Sequence, residues 1–488
     1  MRLTRLGGPL LLSCLALGGC EPAIKSSLPD GGAAPDLTAT IDGALPDGNA
    51  KDGGAPGDGP LPDSGPDLAG ATSSGAARYP HGAVTSPITA SVAERLKTIA
   101  SASATREPKV FMKVGASGTV STNLLFCFAG AAQPQYTLDL DGRDALQGTI
   151  DHFRGGTIGS APDQTTPFDR VTLAAKVGRT ASWAISGSPS PLEQEITASN
   201  ARFAFVNYGT NDMEQASSYQ AALFPFYDNL STLLDTLEAG GIVPIVSGLN
   251  PRSDKASAAL LVPTWDVVTR AIAEERQLPY ISLYRVSSPL PDLGLLGDGL
   301  HGNVLVDSGK VQPCVFTPDG LLFNYNNRNL LSVAVLDAVK RLVLDGAAAV
   351  DVGPTAVGGK GTAADPFVID ALPFSHAFTT SDGERLLSTY PGCNATQNEA
   401  GPEIYYKLSL PTATPLRALL FDRGAVDVDL HLLTGASCVE RNDRIVERTL
   451  PAGEHRIVVD SFVSGGVEHA GRYLLVVVPC EAGDASCS

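Results

Sequence analysis

The sequence predicts an α/β domain built on a central parallel sheet, followed by an all-β sandwich. Between residues 105 and 347, short apolar runs that read as strands alternate with longer stretches whose apolar residues recur at helical spacing. Strands separated by helices make a parallel sheet covered on both faces. Beyond residue 361 the helical period stops, and short strand-like runs with turns between them follow, the pattern of an antiparallel sandwich. Ahead of both lies a stretch, residues 20–78, made mainly of Asp, Gly, Pro, Ala and Ser. It carries too little apolar surface to offset the entropy of ordering it.

The chain opens on a leader pattern. Met1-Arg2-Leu3-Thr4-Arg5 is basic, and Gly8 to Leu17 is apolar but shorter than the ~20 residues of a membrane-spanning helix. Leu17-Gly18-Gly19-Cys20 resembles the bacterial lipobox. That resemblance implies removal of residues 1–19 and diacylglycerol attached to Cys20. The chain is then extracytoplasmic and held to the bacterial cell envelope by lipid alone. Glu21, rather than Asp, leans the sorting towards the outer membrane.

Residues 20–78 read as a tether. Leu28-Pro29-Asp30-Gly31, Leu45-Pro46-Asp47-Gly48 and Leu61-Pro62-Asp63 are loose echoes of one unit. Pro keeps such a segment semi-extended and its Asp residues repel one another. Their irregular spacing argues against a calcium repeat. The formal charge of −17 argues against nucleic acid and anionic headgroups as partners.

Of the 8 Cys, Cys14 sits in the leader and Cys20 at the lipidation point. Cys127, Cys314, Cys393, Cys438, Cys480 and Cys487 remain, an even set that in an exported chain reads as disulfides. Cys127 and Cys314 share the first domain, residues 79–347, and can pair. The other four allow three connectivities. With no Cys-x-x-Cys beside a His, the sequence calls for no metal and no cofactor.

Within the first domain, strands are expected at Lys109–Val114, 202–208, Gly241–Ser247 and Leu278–Leu283. Helices are expected at Tyr219–Glu238, Pro263–Arg276 and Leu330–Leu344. In such sheets the ligand crevice lies at the carboxyl ends of the strands. Ser117, Gly209 and Asn211 follow strand ends and should converge there. Asp298 precedes His301 by one turn, so one loop can supply a base and the group that orients it. Of His81, His152 and His301, the last is the best base, because His81 follows the tether and His152 sits in the 127–168 stretch. An imidazole accepts and returns protons near neutrality, and a Ser hydroxyl needs such a base to become a nucleophile.

Val114-Gly115-Ala116-Ser117, Gly178-Arg179-Thr180-Ala181, Gly209-Thr210-Asn211-Asp212 and Gly297-Asp298-Gly299-Leu300-His301 occur in this order. Over residues 105–347 the chain thereby resembles the SGNH (GDSL-type) hydrolase superfamily. The resemblance implies a flavodoxin-like three-layer sandwich and an esterase that works through an acyl-enzyme on Ser117. His301 is then the base and Asp298 its orienter. The N–H groups of Ser117 and Gly178 and the Asn211 amide form the oxyanion hole, with Gly155 or Gly156 as alternatives to Gly178. The implied substrates are carboxylic esters, including O-acetyl groups on carbohydrates. The rival is a surface lipoprotein with an impaired site that binds glycans or proteins.

The chain departs from the family pattern at three points. Ala116 stands where the family has Asp, Gly118 where a larger residue is usual, and Gly302 where Pro is common. Residues 127–168 and 303–323 are insertions, and a Cys127–Cys314 bond would tie the nucleophile region to the base loop. Asp212 reads as a loop cap, Trp183 as core with the substrate cleft as the alternative, and Arg252 as a surface ion pair with a charged or sugar substrate as the alternative.

A linker over 348–360 precedes the second domain, 361–488. Its expected strands are Glu403–Leu410, Ala418–Asp422, Val426–Leu433, His455–Phe462 and Tyr473–Val478. Val426-Asp427-Val428-Asp429-Leu430-His431-Leu432 alternates, so one face should be buried, with Asp427 and Asp429 facing solvent. Pro451-Ala452-Gly453-Glu454-His455 and Ala470-Gly471-Arg472-Tyr473 resemble the pre-peptidase C-terminal domain family, which implies an accessory module for substrate or surface contact.

Overall fold

The computed structural model describes residues 76–349, 351–353, 356–393 and 397–487. The leader over 1–19, Cys20 and the tether up to residue 75 lie outside the described residues. Among the described residues no helix is long and apolar enough to cross a membrane.

Four strands form the central sheet: β1 (Glu107–Gly115), β2 (Ala201–Asn207), β3 (Val243–Ser247) and β4 (Tyr280–Ile281). They pair in that order and all in parallel, with Val114 beside Val206, Val206 beside Val246 and Val246 beside Tyr280. Every residue of β3 and all of β2 except Asn207 are buried, so helices cover both faces. The principal helices are α1 (Ala90–Ser101), α2 (Gln147–Arg154), α3 (Pro191–Ser199), α4 (Leu223–Ala239), α5 (Ala256–Glu275) and α6 (Asn324–Val343). α3 starts on a capping box: Ser190 Oγ accepts from Glu193 N–H while the Glu193 carboxylate accepts from Ser190 N–H.

α5 and β4 differ from expectation for physical reasons that can be named. α5 starts at Ala256 rather than Pro263, and Pro263 stays inside it. The buried Leu261, Val262, Thr264 and Trp265 around it offset the ~3 kcal/mol that an interior proline costs a helix. β4 is cut short because Ser282 Oγ accepts the Arg285 N–H at 3.1 Å and caps a helix over Leu283–Ser287. The 127–168 insertion is also part of the core. Its Phe153 and Phe168 meet Phe111 of β1 edge-on, with ring centroids 5.6 and 5.1 Å away. Cys127 and Cys314 are bonded, with Cα atoms 5.9 Å apart.

The C-terminal strands are β5 (Phe367–Ile369), β6 (Phe374–Thr379), β7 (Glu403–Leu410), β8 (Thr414–Phe421), β9 (Val428–Thr434), β10 (Ser437–Asn442), β11 (Ile445–Leu450), β12 (Gly453–Ser461) and β13 (Arg472–Pro479). One sheet runs β6-β13-β8-β11 and the other β10-β9-β12-β7-β5. All neighbours are antiparallel except β5 and β7. The two sheets enclose a core that includes Tyr406, Leu430, Ile457 and Leu475. Cys393 pairs with Cys438 and Cys480 with Cys487, which selects one of the three connectivities.

The sandwich docks on the α/β domain. Leu419, Phe421, Leu474, Val476 and Val478 on the outer face of the four-stranded sheet join the first core. The Phe421 ring lies 5.2 Å from Phe224 and 4.9 Å from Tyr227. Arg417 of β8, buried, donates to Thr264 of α5 at 3.2 Å and pairs with Asp484 at 2.7 Å. The residues expected to link or tether are packed as well. Ala77 is buried and its N–H donates to Gln277 at 2.7 Å. Arg78 pairs with Asp370 at 3.1 Å, and the Asp351 carboxylate accepts the Ile88 N–H at 2.7 Å.

The alternation in β9 misleads. Asp429 and His431 are 2% and 0% exposed, and only Asp427 faces solvent. The chain around Tyr390, bonded through Cys393 to Cys438, lies over that face of the sheet.

Candidate active site

β1 ends in Gly115, and the chain turns at once into a short helix, Ser117–Val120. A side chain at 115 would meet Thr119 and, at 2.6 Å, the Asn207 carbonyl, so only glycine lets β1 and β2 approach here. The Ala116 carbonyl accepts the N–H groups of Thr119 and Val120 at 2.9 and 3.0 Å. The turn that presents Ser117 is therefore held by its backbone, without the side chain that Ala116 lacks.

Across from it, the loop after β4 carries His301. His301 Nε2 stands 3.1 Å from Ser117 Oγ. Its Nδ1 stands 2.7 Å from Asp298 Oδ2. Asp298 Oδ1 accepts the N–H groups of Leu300 and His301, each at 3.0 Å. These bonds, the His301 N–H first, hold the Asp298 carboxyl down at about 2, so it is ionised at neutral pH. The loop is pinned from outside by Ser253 N–H donating to the Gly299 carbonyl at 2.8 Å. Gly302 fits because the Asn324 side chain fills the space a Cβ would need, its Cγ only 2.6 Å from that point. Ser117, His301 and Asp298 are thus brought into one hydrogen-bonded chain at the carboxyl ends of the strands.

The other expected donors stand apart. Gly178 is exposed, with nothing within 4 Å of where a Cβ would stand, and Asn211 donates through its amide to the Arg179 carbonyl at 3.0 Å. Neither lines the cleft of about 30 Å³ beside Ser117 and His301. Their segments are nonetheless tied to it. Gly115 N–H donates to the Ala174 carbonyl at 3.1 Å, and Lys176 N–H to the Gly115 carbonyl at 3.2 Å. Asp212 accepts from Ala181 N–H and Gly209 N–H at 2.9 and 3.0 Å, which makes it a loop cap. Its burial raises the carboxyl to about 6 against the pull of these bonds. Gly155 follows α2 with the His152 carbonyl beside it, and Gly156 packs on Lys109; both lie outside the cleft lining. Trp183 is partly buried against the core. Arg252 is buried rather than at the surface, held by Asp254 and Glu214 at 2.7 and 2.8 Å.

Among the cleft residues that escaped the sequence reading are Asn207, Asn250, Tyr325 and Arg328. Asn207 donates to the carbonyls of Ser247 and Gly248 at 3.2 and 2.8 Å and accepts from Arg328 at 3.0 Å. Arg328 also donates to the Gly118 carbonyl at 3.3 Å, bracing the Ser117 turn from α6. Burial lowers the pKa of its guanidinium. The available signal was the run Asn324-Tyr325-Asn326-Asn327-Arg328-Asn329, too polar for a core helix yet buried at Asn324, Asn326, Arg328 and Asn329. Asn329 ties the stretch just ahead of the first insertion to the second: it accepts from Leu125 N–H at 2.9 Å and donates to the Asn123 and Pro313 carbonyls at 2.8 and 3.0 Å.

No protein-family profile and no curated protein matches this chain. Among solved structures it is similar to an acetyl esterase with acetate ion, 14% identical over 47% of this chain and 98% of that one, with a TM-score of 0.31. It is also similar to a two-domain esterase active on acetylated mannans, 12% identical over 79% and 95%, TM-score 0.27. A third is an acetylxylan esterase from Geobacillus stearothermophilus, 13% identical over 46% and 93%, TM-score 0.28.

Proposed function

We propose that this protein is a serine esterase that removes small acyl groups through an acyl-enzyme on Ser117. The Ser117–His301–Asp298 chain, with links of 3.1 and 2.7 Å, carries this reading. Its spacing is that of a nucleophile, its base and the group that fixes the base's tautomer. His301 takes the Ser117 proton as Oγ attacks the ester carbonyl, then returns it to the leaving alcohol. Water repeats the cycle on the acyl-enzyme. Asp298 stabilises the imidazolium in both halves. The oxyanion falls to the Ser117 N–H; the Gly178 N–H and the Asn211 amide, which stand outside the cleft, add to it only once the Arg179 loop moves in. One such donor is worth about 2.7–4 kcal/mol.

Cleft size supports an acetyl group. A volume of about 30 Å³ holds roughly two water-sized groups, room for a carbonyl and a methyl. The alcohol side is open: His301 and Asp298 side chains are 41% and 49% exposed. A polar, bulky alcohol such as a polysaccharide hydroxyl suits this mouth, and O-acetyl carbohydrate is the substrate class proposed. Release from Cys20-bound lipid is not needed for such a role, and attachment there would hold the esterase at the cell envelope. Loss of radiolabelled fatty acid in Cys20→Ser tests that attachment.

A second reading, an impaired enzyme serving as a binding module, is favoured by one observation: the Asn211 amide is spent on a carbonyl. The two separate on a fluorophosphonate probe and p-nitrophenyl acetate. The esterase labels on Ser117 and turns over, and both Ser117→Ala and His301→Ala abolish it. A wild type as inert as these variants would establish the binding reading.

A further inference from the structure

The covered face of the five-stranded sheet holds an unbalanced set of charges. Glu399, Glu403, Asp429 and Asp460 are each buried, at 2% exposure or less. The cation that reaches Asp429 and Glu399 is Arg441, at 2.8 and 3.2 Å. Two buried carboxylates sharing one guanidinium is a costly arrangement unless further positive charge, or protons, enter. Glu403 has its own donors: Oε1 accepts from Leu386 N–H, Leu387 N–H and the Tyr405 hydroxyl. Asp460 accepts from the Tyr390 hydroxyl at 2.5 Å and from Ser461 N–H at 2.7 Å.

Glu399 and His431 differ from these. Arg441 stands 3.2 Å from one oxygen of Glu399 and Asp429 lies beside it, but no well-aligned hydrogen bond reaches either oxygen. His431 is 0% exposed, and neither of its ring nitrogens has a hydrogen-bond partner. Its ring is stacked on Tyr390, centroids 3.7 Å apart, with Nε2 3.9 Å from Glu399 Oε1. A fully buried imidazole with no partner for either nitrogen costs free energy that something must offset. One ligand atom each from Glu399, His431 and Asp460 lies within 4.8 Å of the others.

We propose that Glu399, His431 and Asp460 bind a divalent transition-metal ion of the zinc class. The donor set decides the class. Imidazole nitrogen with carboxylate oxygen suits zinc and its neighbours, whereas calcium takes six to eight oxygens. The Asp429–Arg441 pair lies beside the site and holds Glu399 near it. Donors about 2.1 Å from a tetrahedral ion sit roughly 3.4 Å apart, so the group must draw in by about an ångström. Glu399 can move, since it lies in the covering chain rather than in a strand. The bound ion clamps that chain to the sheet beside the Cys393–Cys438 bond. This site lies outside the Ser117 cleft and does not depend on the esterase reading.

The test uses the folded chain in a His301→Ala background, so that the cleft imidazole is not a competitor. The protein is stripped with EDTA, desalted and titrated with zinc chloride. Metal content and thermal midpoint are read. The expected result is one zinc per chain and a rise of about 5 °C or more, both lost in Glu399→Gln and in His431→Gln. Cobalt in place of zinc should give a visible d–d band with no variant needed, which decides the matter if His431→Gln does not fold. No retained metal, an undiminished zinc effect in folded Glu399→Gln, or an equal rise with calcium would each overturn the proposal. The first would leave protons as the neutralising charge.

Discussion

Replacing Asp298 by Asn should harm the enzyme more than replacing it by Ala. In the wild type, Asp298 Oδ1 accepts two backbone N–H groups at 3.0 Å while Oδ2 faces His301 Nδ1 at 2.7 Å. An Asn must place its single oxygen on one side. If the oxygen stays with the Leu300 and His301 N–H groups, the amide N–H₂ faces Nδ1. Nδ1 must then accept, which puts the ring proton on Nε2, against Ser117 Oγ at 3.1 Å. That tautomer cannot take the Ser117 proton, and losses of about 10³–10⁴ in kcat follow. An Ala leaves Nδ1–H free to donate to water, since the site is half open. The loss is then one charge-assisted hydrogen bond, about 1.5–3 kcal/mol, discounted for solvent to the low end, or roughly tenfold. The assay is kcat and KM on p-nitrophenyl acetate for wild type, Asp298→Asn and Asp298→Ala, with folding checked by circular dichroism. Asn activity equal to or above Ala activity would refute the tautomer argument and with it the role given to Asp298.

Other outcomes follow from packing and charge. Phe421→Ala removes the ring wedged against Phe224 and Tyr227 and should cost about 3–5 kcal/mol; a urea midpoint unchanged from wild type would mean that the sandwich is not docked in solution. Reduction of Cys127–Cys314, which spans 187 residues, should lower stability by about 3–5 kcal/mol, read as a fall in thermal midpoint for the Cys127→Ala/Cys314→Ala pair. Asp212, at about 6 in the fold, lies above the ~3.9 of an unfolded Asp. Its protonated form is therefore favoured by folding, and the stability it contributes is present below pH 4 and lost as pH climbs to about 6. Relative to Asp212→Asn, wild type should lose about 3 kcal/mol across that window, and parallel curves from pH 4 to 7 would contradict this.

Local features were legible in the sequence. The apolar runs of β1, β2 and β3 and the stretch that became α4 read correctly, because each is long enough for its period to show. The Asp298–His301 pair was visible because both residues belong to one turn, so their separation along the chain sets their separation in space. Ser117 was found at a strand end, where parallel sheets open. The reading failed where one residue type has two environments. Asp429 and His431 alternate with Val428, Leu430 and Leu432, and alternation reports that a strand has two faces, not that one of them is wet. Arg252 is buried by carboxylates that include Glu214, which is remote in the sequence. α6 seemed to begin at Leu330, since the buried amides before it carry no apolar period.

The sequence by itself determined the order of the layers, the Ser117 turn at a strand end and the turn that holds His301 against Asp298. These rest on interactions within a few residues, where chain geometry leaves few choices. Tertiary structure alone decided which cysteines pair, that Arg328 and Asn207 brace the Ser117 turn, that the sandwich shares a core with the α/β domain, and that Glu399, His431 and Asp460 meet under a covering segment. Those contacts join residues far apart in the chain. Only the way the sheets and helices bury their apolar surface brings such residues together, and that surface has no address in the local pattern.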